Sequence, residues 1–583
     1  MKFIIRYLFA ITVITISSCA KQSSPMGGPR DEDPPVLLNT IPEDQSTNVS
    51  PEEIFLEFNE FVKLENPNQS IIITPRVETD KIEFLAIRNK VTITLNQDLE
   101  ENTTYLFNFQ KSIQDITEGN PADRLKLVFS TGDAIDSLKV SGQVAFSDPF
   151  EEPDFNDVIV GLYTIEDTTD LFNAAPYYIA QPDSLGKFEI SNIKAGKFKA
   201  YAWLDDNNSL KAEFRNEAYG FAPEIINVEN NLENLQINMA KGDISDLKIN
   251  RSSKTGNNFD IILSKPIAEF AIEHPDKNKT LFYRLQDKNI RLYHRQLKND
   301  STKVNIQLKD SVGFKLDTTL YASFAESERT KEKFEVTTNT GAKFSQEIEA
   351  KLDFNKPLYD IVYDSLFIQY DTASYIPIDP SMISLADSNH LRTTIRINVT
   401  LPDSIKNTTF NLYAADSTFK DVEGEWNESA VEATYNKLKT DNLADGINGT
   451  INTEERPIIL QLLNSKGELV REKYLLDTNY FEFTDIEATN YKIQAIIDRN
   501  KNGRWDPGNY HENIQPEPIY AFFDEETNKH EFILRGGWTL DDLIIEPRKD
   551  SGIVTTPEAS IDQAPITLPL DILEISEEDL LNN

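Results

Sequence analysis

The chain has 583 residues, with 96 acidic against 58 basic side chains and a formal net charge of -38. So acidic a surface repels phosphate backbones and anionic headgroups, which excludes nucleic acid as a partner and excludes membrane attachment through a basic patch. Its one cysteine, Cys19, excludes a disulfide within the chain, so apolar cores must hold it together, and the length suffices for roughly four to six domains of ordinary size.

At the N-terminus, Lys2 and Arg6 accompany an apolar run from Phe3 to Ile16 that is too short for a stable bilayer-spanning helix and ends in the small residues Ser17 and Ser18. Ile16-Ser17-Ser18-Cys19 resembles a bacterial lipobox. The resemblance implies a signal peptide over residues 1–18, a diacylglycerol on the Cys19 thiol, and the membrane as a partner through lipid alone. Residues 19–33 have no periodicity and are rich in Ser, Pro and Gly, the composition of a flexible tether.

Ile54, Leu56 and Phe58 alternate with Phe55, Glu57 and Asn59, and the same period of two returns in Val91–Leu95, Tyr105–Phe109 and Leu125–Phe129. Such alternation predicts short strands, and their number predicts a β-sandwich over 34–133. Asp33-Pro34-Pro35-Val36, the stretch Pro42–Ser50, Phe58-Asn59-Glu60-Phe61-Val62 and the closing Phe129-Ser130-Thr131-Gly132-Asp133 resemble the bacterial Ig-like domain of S-layer proteins. With Ser24-Pro25-Met26-Gly27-Gly28-Pro29 after the lipobox, the arrangement is similar to a family of Bacteroidetes lipoproteins. That likeness implies a fold and an outer-membrane address. Among such lipoproteins an acidic cluster directly after the cysteine resembles a surface-export signal; here Ala20-Lys21-Gln22-Ser23 follow Cys19 and Asp31-Glu32-Asp33 comes late, which leaves the face open with a tilt toward the periplasm.

The chain also repeats itself. Phe188–Asp205 aligns without a gap on Phe481–Asp498, and the copies begin at Gly142-Gln143-Val144 and Gly449-Thr450-Ile451. In each, one strand face is apolar: Phe198, Ala200, Ala202 and Leu204, or Tyr491, Ile493, Ala495 and Ile497. Both copies resemble the transthyretin-like sandwich of carboxypeptidase regulatory and collagen-adhesin repeat domains, which implies a sandwich and no ligand. Between them, Phe259–Ile267 and Leu352–Leu358 echo Leu56–Val62, predicting two more Ig-like units with strands in Ser365–Tyr370 and Thr394–Val399. The fold class expected is all-β, a tandem of β-sandwich modules: Ig-like over 34–133, transthyretin-like over 138–243, Ig-like over 244–342 and 343–445, transthyretin-like over 446–547, then an acidic mobile tail over 548–583.

One segment carries the pattern of a metal loop. Asp498, Asn500, Asn502 and Asp506 place oxygen side chains at positions one, three, five and nine, with Gly503 at six, as in the first half of a calcium-binding EF-hand loop. The twelfth position is Asn509, so the bidentate carboxylate is missing, and Glu512 could replace it only along a different loop path. The same residues also suit an Asx-rich turn. In the first repeat Asp205, Asn207 and Ser209 keep the pattern while Leu210 replaces the glycine. No cofactor is firmly indicated, calcium being the one candidate.

Trp505, Trp538, Tyr510 and Tyr520, with Tyr177, Tyr178 and Trp203 in the first repeat, invite a glycan reading by stacking; packing within a sandwich is the stronger reading, since a tryptophan after a tight turn usually plugs its open end. The five histidines, His274, His294, His390, His511 and His530, are scattered, and no His-Glu-x-x-His or nucleophile elbow is present. The sequence therefore predicts a non-enzymatic, lipid-anchored envelope protein, a rod of β-sandwiches serving in envelope structure, assembly or protein interaction. The alternative is a surface glycan-binding protein or adhesin.

Overall fold

The structure is a computed structural model that describes residues 31–547, apart from 123, 152–153, 214, 216, 387–390 and 403. Cys19, the signal and tether segments before residue 31 and the tail beyond 547 lie outside the described residues. Among the described residues, strands are joined by three short 3-10 turns and one four-residue helix, Pro67–Ser70, so the all-β expectation is met.

The first sandwich pairs Leu37–Ile41, Glu53–Phe58, Lys90–Leu95 and Ile82–Ile87 in one sheet, against Ile72–Thr74, Thr104–Asn108 and Lys126–Ser130 in the other. Period-two alternation sets its core: Ile54, Leu56 and Phe58 are buried, as are Val91, Ile93 and Leu95, and they meet Tyr105, Phe107 and Phe129 from the facing sheet. Each such side chain contributes about 1.5–3 kcal/mol by leaving water. Two further sandwiches are built around Asn258–Leu263 and Glu347–Phe354. The three strands that echo one another in sequence occupy the same place, second in a four-stranded antiparallel sheet.

The two repeat copies fold alike down to a shared irregularity. Leu138–Phe146 pairs antiparallel with Lys187–Ile193 and parallel with Leu232–Lys241; Leu443–Ile451 pairs in the same way with Tyr480–Glu487 and Thr539–Ile545. In each parallel pair the register slips just before a glycine, Gly142 opposite Leu235 and Gly449 opposite Leu543. The bulge brings the backbones so close that a Cβ on either glycine would overlap the facing carbonyl oxygen, Leu235 O or Leu543 O. Gly449→Ala is therefore expected to lower the stability of this sandwich by about 1–3 kcal/mol, read as a fall in its thermal midpoint, because strand separation is the only relief. Alanine at the exposed Gly467, whose Cβ would meet nothing within 4 Å, is the comparison, carrying only the strain of its φ of +83°.

One sequence expectation is extended and one is corrected. The strand Gly196–Leu204 is buried on both faces: beneath Phe198, Ala200 and Ala202 lies the sandwich core, while Tyr201 and Trp203 on the other side join Tyr163, Leu171, Phe172, Tyr219 and Phe221 in a second apolar cluster. The cause is a cover built from the connection carrying Leu171 and Phe172 and from neighbouring units, which supply Ile244, Val312 and Tyr510. The rod expectation also gives way, because the last sandwich folds back. Consecutive units touch through Arg76 Nη1 to Ala175 O at 2.7 Å, Arg295 over the Tyr359 ring at 3.5 Å, and Lys343 with Glu487. The second repeat then closes onto earlier units: Asn509 Nδ2 donates to Val312 O at 3.1 Å and Asn513 Nδ2 to Pro223 O at 2.8 Å. Four sandwiches thus form a closed circuit, with the first attached to its outside. What closes it is the residue 499–518 connection of the second repeat, longer than its counterpart in the first.

Candidate functional site

Each repeat carries the Asp/Asn loop between two antiparallel strands, Asn490–Ile497 and Ile519–Ala521 in the second copy, Gly196–Leu204 and Ala218–Phe221 in the first. Asp498 is fully buried; its Oδ1 accepts from Asn502 N at 3.0 Å, and its Oδ2 from Gly503 N at 2.8 Å and Tyr474 Oη at 2.8 Å. Asn500 and Asn502 donate through Nδ2 to Asp506 Oδ2 at 2.7 and 2.5 Å. Gly503 takes the left-handed backbone the turn requires, with φ of +77°.

Strand register reveals a residue that spacing does not. Ile496 faces Ile519 as Trp203 faces Tyr219, so Glu517 and Glu217 occupy equivalent positions, each two residues before the facing residue. Both side chains are buried in their loops. Glu517 accepts from Asn500 N at 3.3 Å and Asp506 N at 3.1 Å; Glu217 accepts from Glu213 N at 2.7 Å, where Glu213 is the counterpart of Asp506. The likeness continues with Asn207 Nδ2 to Glu213 Oε1 at 2.8 Å and with Asp205 accepting from Ser209 N and Leu210 N. Leu210 holds a φ of +58° where the second copy has glycine, a strain of about 1 kcal/mol that the matched loop shape imposes.

Burial pushes the Glu517 carboxyl up to about 7, and the charges of Asp506 and Asp498 push in the same direction, against the two backbone amides that donate to its carboxylate. Glu217 and Asp205 are raised as well, by burial first. Asn509 is not a loop ligand: it is buried against the third unit, and its Oδ1 accepts from Glu512 N. Glu517, just ahead of the next strand, is thus the buried carboxylate that stands against the loop. Among the described residues no three His, Cys, Asp or Glu side chains gather closely enough to hold a metal by themselves, so a cation here would rely on the Asn carbonyl oxygens too.

The aromatics sort clearly. Tyr178, Trp203 and Tyr520 are core residues, and Tyr177 donates to Glu100 of the first sandwich at 2.5 Å. Trp505 is half-buried with Nε1 donating to Glu517 O at 2.9 Å, which leaves Trp538, 63% exposed, as the open ring of the set. Tyr510 is the anchor of the fold-back, edge-on to Phe172 and Phe221 with ring centroids 5.2 and 5.8 Å away and donating to Asp170 Oδ2 at 3.2 Å. Beside this anchor the two repeats face each other across a cleft of about 1730 Å³. Its walls carry Phe146, Phe155 and Leu185 from the first copy and Phe523, His530 and Ile533 from the second, with Asp148, Asp524, Asp541 and Asp542 among the polar groups. His530 closes one end, edge-on to Phe150 at 5.4 Å.

The model of the bacterial Ig-like domain matches the first sandwich and its entry. Residues 31–131 are a bacterial Ig-like domain. No curated protein matches the chain. Solved structures similar to parts of it include a mixed-linkage glucan utilisation SGBP-B of Bacteroides ovatus, 11% identical over 56% of this chain and 82% of that one with a TM-score of 0.16. The BSP domain of a biofilm-associated protein is 10% identical over 83% and 97%, with a TM-score of 0.13. Likenesses this remote assign no function to the chain. The Ig-like domain itself stands away from the cleft and is fastened to the first repeat, where Arg76 pairs with Asp167 at 3.4 Å; hydrogen bonds from Thr169, and less so Arg76, hold that carboxyl below its ordinary value.

Proposed function

We propose that this protein is a lipid-anchored, non-enzymatic component of the outer membrane whose sandwiches present a binding surface to another envelope protein, on the periplasmic face. The observation that carries the reading is the cleft between the two repeat copies: large, walled by aromatic and aliphatic side chains, bordered by carboxylates, and held by the Tyr510 anchor. Such a surface suits a protein segment with apolar side chains flanked by Lys or Arg, since desolvated aromatics supply the affinity and rim charges the orientation. A glycan platform usually needs several open rings, and of the seven aromatics considered only Trp538 is open.

The test is a photo-reactive amino acid placed in the cell at Phe523 or Ile533, with Tyr321, exposed on the third unit and outside the cleft, as control. The expected result is a discrete adduct with one envelope protein from the cleft positions and none from Tyr321. Binding on a glycan array with no adduct would favour the glycan-binding alternative, and neither result would contradict both.

The paired loops add a structural role to the same reading. Burial, with the neighbouring charges of Asp506 and Asp498, raises the cost of ionising Glu517 in a setting that also holds the Asn500 and Asn502 side-chain oxygens. A divalent hard cation would relieve that repulsion, and calcium fits the all-oxygen donor set.

A further inference from the structure

The fourth sandwich buries a lysine between two acids. Lys356, just after the strand Glu347–Phe354, and Asp421, at the end of Phe419–Asp421, both have side chains that are 0% exposed, and Glu423 is 9% exposed. The Lys356 Nζ lies 3.1 Å from Asp421 Oδ2 and 2.9 Å from Glu423 Oε2. Neither approach has hydrogen-bond geometry: Nζ and Oδ2 are both without a hydrogen-bonded partner. Asp421 Oδ1, by contrast, is held by the amides of Glu423 and Glu425 at 2.9 and 2.8 Å, so the carboxyl carbon is fixed beside the amine. A dry ion pair with unmet hydrogen bonds is a costly thing to keep in a core.

We propose that Lys356 and Asp421 join in an intramolecular isopeptide bond, with Glu423 as the proton carrier. The ground state is the ion pair, because Glu423 and Asp421 outweigh the effect of burial on the Lys356 ammonium, while burial pushes the Asp421 carboxyl up in spite of Lys356. Moving one proton from Nζ to Asp421 gives a neutral amine and a carboxylic acid. The Nζ lone pair attacks Cγ, Glu423 takes a proton from nitrogen and returns it to the departing hydroxyl, the Nζ–Cγ bond forms, the Cγ–O bond breaks, and one water leaves. Nothing is oxidised or reduced and no co-reactant is consumed. Fixed approach and a positioned general acid–base are what such a condensation needs.

The third sandwich provides a comparison within the same chain. Lys265, after the strand Asn258–Leu263, is buried with Asp310, but its Nζ donates to the backbone oxygen of Asp243 at 2.8 Å and sits 4.6 Å from the Phe314 ring centroid. No second carboxylate is paired with it among the described residues, and it remains an ion pair.

Peptide mapping by mass spectrometry of the denatured full-length chain decides the matter. The expected product is a branched peptide joining the Lys356 and Asp421 segments, lighter than their sum by one water, with Lys265 and Asp310 in linear peptides. Lys356→Arg and Asp421→Ala lose the branch, and Glu423→Gln loses it while keeping both reacting side chains. Linear peptides at both positions in the unmodified chain, or a branch at Lys265–Asp310 instead, would overturn the proposal, and that reading does not depend on any variant folding.

Discussion

In Tyr510→Ala the second repeat should part from the first, and small-angle scattering should show a larger radius of gyration for the whole chain. Tyr510 reaches out of its own sandwich into a cluster whose other rings, Phe172, Tyr219 and Phe221, all belong to the first repeat. Truncating an aromatic in such a cluster typically costs about 3–5 kcal/mol through lost transfer energy and the void left behind. The remaining cross-links are the ring contacts of His530 with Phe150 and of His511 with Phe314, the Asn509 bond to Val312 O, and polar contacts such as Asn513 to Pro223 O and Arg504 to Glu269 of the third unit at 3.4 Å. The exposed pairs contribute about 0–1 kcal/mol each, so the Tyr510 ring is the largest single tie. Tyr510→Phe should lose only the hydroxyl's bonds to Asp170 and Tyr201, about 1 kcal/mol, and leave the scattering curve unchanged. An unaltered curve in the alanine variant would show that the fold-back rests on something other than this ring.

The second large effect is expected from Glu517. Its carboxyl titrates at an ordinary 4.5 in the unfolded chain and at about 7 in the folded one. Between those values the native state holds a proton that the unfolded state has released, so stability is fully present below 4.5 and is lost as pH rises through about 7. The span corresponds to on the order of 3 kcal/mol. In Glu517→Gln that dependence should vanish, leaving the sandwich more stable than the parent above neutral pH. Calcium in excess should flatten the parent's profile by holding the carboxylate ionised and should leave the Gln variant unmoved. A parent profile that ignores calcium would make the loops turns closed by their own hydrogen bonds.

How much of this was legible in the sequence follows from the range of the interactions involved. Period two along Ile54, Leu56 and Phe58 is a local signal, and those side chains are core in the structure. The repeat was equally plain, because Phe188–Asp205 and Phe481–Asp498 align without a gap, and the glycines that open each copy stand at the same parallel bulge. Glu217 and Glu517 were not legible. They lie at different distances from Asp205 and Asp498, and only strand pairing brings them into register. What covers Tyr201 and Trp203 was not legible for a related reason: it comes from Phe172 in a connection and from Tyr510 far along the chain. Turning a string of modules into a closed circuit likewise depends on a ring whose partners are more than 280 residues away in sequence.

Fractionation of cells carrying Cys19→Ser tests the central claim most directly. The reading of a lipid-anchored envelope component predicts that the parent chain partitions with the outer membrane and needs detergent for release, while the variant appears in the soluble fraction with its thermal unfolding profile unchanged. A variant that stays with the membrane as the parent does would contradict it.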